Sequence, residues 1–157
     1  MANSELSLLF SFHDDDDGLG KLFATVKSGA FSGEGNAWFD PTAVKETFVA
    51  ALRAFPISTT NPPTIEGGFW SKREPRTLGQ CHLRVVVSPY DKLGKLLVRV
   101  DLASESEKTP DIDLQHAVTV RFLTEYAAIA AFADDLDRVL SVLDRAACRA
   151  TLTGVTT

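Results

Sequence analysis

The amino-acid sequence predicts an α+β fold, a single antiparallel sheet of about six to seven strands with two helices packed on one face. Three observations carry that expectation. Two β-branched runs, Cys81–Ser88 and Lys95–Leu102, flank a Pro-Tyr-Asp-Lys-Leu-Gly connector and alternate apolar with polar residues, the pattern of a hairpin with one buried and one wet face. Two other segments repeat apolar residues at intervals of three and four, as amphipathic helices do. The order is three strands, a helix, four strands and a helix, which excludes a parallel doubly wound sheet.

Each element has its own signal. Glu5–His13 places Leu6, Leu8, Phe10 and Phe12 at every second position and reads as a strand. Asp14, Asp15, Asp16 and Asp17, followed by Gly18, form an acidic turn into a second alternating run, Lys21–Ser28. Three glycines, Gly29, Gly33 and Gly35, precede Trp38, so this stretch reads as a turn or bulge feeding a short strand that Trp38 anchors to the core. Asp40-Pro41 is an N-cap followed by a first-turn proline, opening a helix over about 41–55 with Val44, Phe48, Ala51, Leu52 and Phe55 on one stripe. Pro56 bars its continuation, and 57–64 is a crossover.

Thr64–Ser71 is a strand with Gly67-Gly68 inside it, where a bulge or close backbone approach is expected. In the central hairpin, Leu83, Val85 and Val87 share one face with Leu96, Val98, Val100 and Leu102, while His82, Arg84, Arg99 and Asp101 share the other. Ser104–Asp113 is an acidic loop long enough to be a recognition surface. Gln115–Leu123 resumes the alternation, and Thr124 caps a second helix over about 125–149 with Ile129, Phe132, Leu136, Val139, Leu140 and Leu143 on its stripe. Thr151–Thr157 lacks periodicity and is expected to fray.

A chain of 157 residues, 45% hydrophobic, suits one globular domain spanning 1–157. Its formal charge of −5 supplies no electrostatic footprint for a polyanion, so nucleic acid is not expected as a direct ligand. Cys81 and Cys148, one in an expected strand and one in an expected helix, read as packed thiols of a reducing cytoplasm. The first residues carry no basic leader and no apolar run reaches membrane-spanning length, so neither export nor membrane insertion is expected.

No motif for catalysis, metal or cofactor stands out. His13, His82 and His116 lack metal-ligand spacing, the aspartate run lacks the calcium-loop pattern, and no nucleophile elbow or phosphate loop is present. The unusual feature is a row of Arg84, Arg99 and Arg121 beside His82, Asp101 and Thr119 on the polar face of adjacent strands. Cross-strand pairing with Asp101 and ordinary solvation account for it; an anion-binding or partner-docking face is the sharper reading.

The pattern Gly29-Ala-Phe-Ser-Gly-Glu-Gly-Asn-Ala-Trp-Phe-Asp, the helix with Phe48 and Leu52, Leu-Gly-Lys-Leu-Leu-Val-Arg-Val at 93–100 and a terminal helix together resemble the WapI family of bacterial immunity proteins. That resemblance implies a small cytoplasmic protein that binds and neutralises a cognate toxin and performs no catalysis. The acidic net charge matches a basic toxin domain, because opposite charge accelerates association. Asp14, Asp15, Asp16, Asp17, Glu105, Glu107 and Asp111 are then the expected partner-binding residues. Two other classes stand beside this one. A small-molecule carrier or enzyme would use Trp70, Arg84, Arg99 and Arg121 in a pocket, and an assembly subunit would form a stable homo-oligomer.

Overall fold

The computed structural model of the chain describes residues 3–12, 18–106, 114–141 and 149–155. Strands β1 (Ser4–Phe12), β2 (Gly20–Ser28) and β3 (Phe31–Phe39) run first. Helix α1 follows, α-helical over Pro41–Val44 and Ala50–Leu52 and π-helical over Lys45–Val49. Next come β4 (Thr64–Trp70), β5 (Leu78–Pro89), β6 (Lys95–Ala103), β7 (Ala117–Glu125), helix α2 (Tyr126–Val139) and β8 (Ala150–Thr153).

The fold is α+β, but the strands form two antiparallel four-stranded sheets rather than one of six to seven. Sheet one has the order β3-β2-β1-β8, and sheet two the order β4-β5-β6-β7. Alternation tells which residues share a face and is silent on which neighbour a strand joins, so the two hairpin series read alike in the sequence. Sheet two contains the central hairpin in the expected register: Leu83 faces Leu102, Val85 faces Val100 and Val87 faces Val98, all of them buried.

Glycine decides how the sheets meet. β3 touches all four strands of sheet two. Gly33 lies under Val118 of β7, Gly35 under the His82 carbonyl of β5 and Leu102 of β6, and Ala37 and Phe39 over Gly67 of β4. From β7 to β4 is three strand spacings, about 14 Å, and from residue 33 to 37 is also about 14 Å of extended chain, so β3 crosses sheet two at a steep angle. Gly33, Gly35 and Ala37 share the inward face of β3, and their small size lets the backbones close. Trp38 therefore points the other way: it is 46% exposed on the outer face of sheet one, with Lys21 Nζ 5.5 Å from its ring centroid, and does not anchor the core.

The helices complete the same core. Asp40 Oδ1 accepts the amide hydrogens of Thr42 (2.9 Å) and Ala43 (3.4 Å), the capping expected of Asp-Pro. The π-helical turn widens the helix by a residue, so Phe48 and Val49 are both buried. Val44, Phe48 and Leu52 of the expected stripe are buried, Val49 joins them, and α1 ends at Leu52, leaving Phe55 outside it. α2 presents Ile129, Phe132, Leu136 and Val139 to the core and lies against β8, β1, β7 and α1. Arg53 ties the helices at the surface through Asp134 (2.9 Å) and Asp137 (3.4 Å). Residues 142–148 of the helix expected to about 149, with Leu143 and Cys148, lie outside the described residues.

Of the segment expected to fray, residues 151–155 form instead a strap between the sheets, and 156–157 lie outside the described residues. β8 pairs with β1, the Gly154 amide donates to the Ser4 carbonyl (2.8 Å), and the Val155 amide donates to the Leu123 carbonyl (2.8 Å). Thr124, expected as a helix cap, is buried and donates to the Thr153 carbonyl (3.1 Å). Its apolar neighbours leave that hydroxyl no other outlet, so the bond satisfies it.

The crossing makes a graded prediction. A methyl group at Gly35 would fall less than 3.0 Å from a backbone oxygen of His82, whereas one at Gly33 meets only the Val118 side chain, which can turn aside. Gly35→Ala should lower unfolding free energy by about 1–3 kcal/mol in chemical denaturation and Gly33→Ala by clearly less; equal effects would contradict this crossing geometry.

Candidate functional site

Two surfaces gather functional side chains, the outer face of sheet two and the end of the molecule at the β5–β6 turn. On the outer face, register sets out a ladder. Glu66, Arg84, Asp101 and Thr119 lie side by side across β4, β5, β6 and β7. Arg84 reaches Glu66 Oε2 through Nε (2.9 Å) and Nη2 (2.8 Å), and Thr119 Oγ1 donates to Asp101 Oδ1 (2.6 Å). In the next row Arg99 stands directly opposite Arg121. Arg99 Nε lies 3.1 Å from Asp101 Oδ2, an ion-pair contact that is not aligned as a hydrogen bond. Trp70, at the far end of β4 opposite Leu78, is half exposed and occupies neither row, so the cup expected from Trp70 and the three arginines is not assembled.

His82 leaves the polar face on which the alternation had placed it. Between Gly67↔Leu83 and Gly68↔Cys81 the register slips, making His82 the extra residue of a β-bulge and turning it inward, 1% exposed. Its ring meets Phe69 edge-on at 4.5 Å and its Nε2 bonds Gln80 Oε1. Gln80 Oε1 also accepts the Ser106 amide hydrogen (3.0 Å), tying the segment with exposed Glu105 to β5. Burial pushes the His82 pKa down, with Glu105 opposing. The half-buried Cys81 thiol is held up for the same reason, which makes it a poor nucleophile. Of the acidic residues singled out, only Glu105 can be placed; Asp14, Asp15, Asp16, Asp17, Glu107 and Asp111 lie outside the described residues.

The second surface was not singled out by sequence. Residues 55–59, the β5–β6 turn and the start of α2 enclose a groove of about 630 Å³ walled by Phe55, Pro56, Ile57, Pro89, Leu93 and Tyr126. Leu93 is 92% exposed and Phe55 82%. The backbone under Leu93 and the ring of Phe55 each have local contacts. Asp91 Oδ1 accepts the amide hydrogens of Leu93 (2.8 Å) and Lys95 (2.9 Å), which fixes the turn with Leu93 at its tip. Phe55 packs edge-on against Tyr126 at 5.0 Å, and the Tyr126 hydroxyl accepts the Ile57 amide hydrogen (3.1 Å). Two signals were available: a leucine in a hairpin turn where polar residues are the rule, and a phenylalanine just past a helix end before proline.

No protein-family model matches the chain, and no curated protein matches it. Among the described residues there is no cluster of three or more His, Cys, Asp and Glu side chains that could hold a metal ion, and no helix long and apolar enough to cross a membrane.

The buried histidine sets a pH dependence. Its folded pKa lies below its unfolded one, so the unfolded state binds the extra proton, and its contribution to stability is full above about pH 6.5 and declines as pH falls below that. His82→Leu should flatten the loss of denaturant midpoint between about pH 6.5 and 5 relative to the parent chain. An unchanged slope would mean His82 is not the group responsible.

Proposed function

We propose that this chain is a non-catalytic protein-binding domain of the immunity type, which neutralises a cognate toxin domain in the cytoplasm by tight association. The observation that carries the reading is the pair of large apolar side chains, Leu93 and Phe55, exposed on the rim of a preorganised groove. Exposing such side chains costs solvation free energy, and a turn whose backbone is already fixed loses less entropy when a partner covers it. Aromatic and aliphatic anchors beside a pocket are also where binding energy concentrates in protein interfaces. The net charge of −5 supports the same reading from a distance, since it steers a basic partner without forming the contact itself. The exposed Glu105 is placed to add to that field. The resemblance of 29–40 and 93–100 to the WapI immunity family supports the choice of a toxin as partner.

The test is calorimetric titration of the chain with the cognate toxin domain proposed as its partner. We expect stoichiometric binding that weakens with added salt, and a loss of affinity of about 100-fold in Leu93→Asp or Phe55→Ser. Both residues are exposed, so thermal stability should hold in each variant. Absence of binding would overturn the immunity reading, and full affinity in both variants would move the site off the groove.

A further inference from the structure

The outer face of β6 and β7 is a run of five directly opposed pairs, and four of them match. Lys95 faces Glu125 as an ion pair (2.7 Å), Leu97 faces Leu123, Asp101 faces Thr119 with a hydrogen bond, and Ala103 faces Ala117. The fifth, Arg99 facing Arg121, sets like charges about 5 Å apart at Cβ, an arrangement that repels. Every other cation on this face has an acid: Lys95 has Glu125, Arg84 has Glu66 and Arg99 has Asp101. Among the described residues no acid is paired with Arg121. A face that otherwise matches its neighbours pair by pair keeps one repulsive pair, and both of its arginines are exposed.

We infer that Arg99 and Arg121 form a binding site for a single carboxylate, presented by an aspartate or glutamate side chain of a bound peptide segment. Charge balance selects the carboxylate. Two guanidinium groups less the Asp101 carboxylate leave one positive charge, which a monoanion neutralises and a phosphate dianion over-compensates. Asp101 engages the Nε edge of Arg99 and so orients that guanidinium, as a supporting carboxylate does at an anion site. The half-buried Leu97–Leu123 pair borders the site on one side and offers an apolar seat for the residues next to the incoming acid. This site lies on a different surface from the Phe55–Leu93 groove and does not depend on a toxin as partner.

The experiment follows the Nε–Hε NMR signals of Arg99 and Arg121 in the full chain. The probe is an acetylated, amidated Leu-Glu-Leu tripeptide, compared with its Leu-Gln-Leu counterpart, sodium chloride and inorganic phosphate. Both signals should shift saturably with the glutamate peptide, at a dissociation constant about fivefold or more below that of the glutamine peptide. Arg121→Gln should abolish the response. At low ionic strength, the same substitution should leave the melting temperature unchanged or raise it, because it removes the like-charge contact. A response equal to that of the glutamine peptide or of chloride would overturn the site, and tighter binding of phosphate would overturn its charge balance. Leu93→Asp should leave the peptide response intact, which separates failure here from failure of the groove.

Discussion

Close contact between the backbone of β3 and the inner face of sheet two is the constraint on which the rest of the architecture depends. Gly35 lies against a carbonyl of β5 and Gly67 against side chains of β3, so neither position has room for a Cβ at the observed separation. With the sheets this close along β3, their apolar faces form one core, which also takes in Phe48 and Leu52 of α1 and Phe132 and Leu136 of α2. The C-terminal strap secures the assembly through the Gly154 and Val155 amides, one bonded to each sheet. The inner faces are lined mostly by apolar side chains, and most polar and ionic groups are sorted to the outer faces and the turns.

The parts of this fold legible in the sequence are those governed by local periodicity. Alternation placed Leu83, Val85, Val87, Leu96, Val98, Val100 and Leu102 on one buried face, and Asp40-Pro41 marked a helix start that the structure caps as expected. What was not legible depends on contacts between distant segments. The division into two sheets follows from where β3 lands, which the glycines permit but do not announce. The π turn in α1 adds Val49 to the buried stripe, and the helix ends at Leu52, short of Phe55. The bulge at His82 reverses a single side chain inside an otherwise regular strand, and Trp38 faces outward because its small neighbours, Gly35 and Ala37, are the ones that pack. The candidate site fared similarly. Alternation put Arg84, Arg99 and Arg121 on one polar face but left open which rows they occupy, whereas the groove joins residues 55–59, 89–94 and 126, three pieces that no local pattern connects.

Function follows from how the two outer surfaces differ. The sheet face is a near-neutral ladder whose ion pairs are largely exposed, so it contributes little to stability and is free to be used for recognition. The turn end presents apolar and aromatic side chains among polar ones, a setting in which one contact residue can carry much of the binding free energy. Acidic charge distributed over the chain acts at longer range than either, guiding encounter and fading with salt. The raised thiol pKa of Cys81 and the bonded, buried ring of His82 fit structural roles.

Hydrogen–deuterium exchange of the chain, alone and in the presence of the basic toxin domain proposed as its partner, tests the central claim most directly because it maps contact without altering a residue. The account predicts new protection at 55–59 and 90–94, at both walls of the groove. Protection confined to the outer face of sheet one, or to the segment that carries Glu105, with the groove amides unchanged, would contradict it.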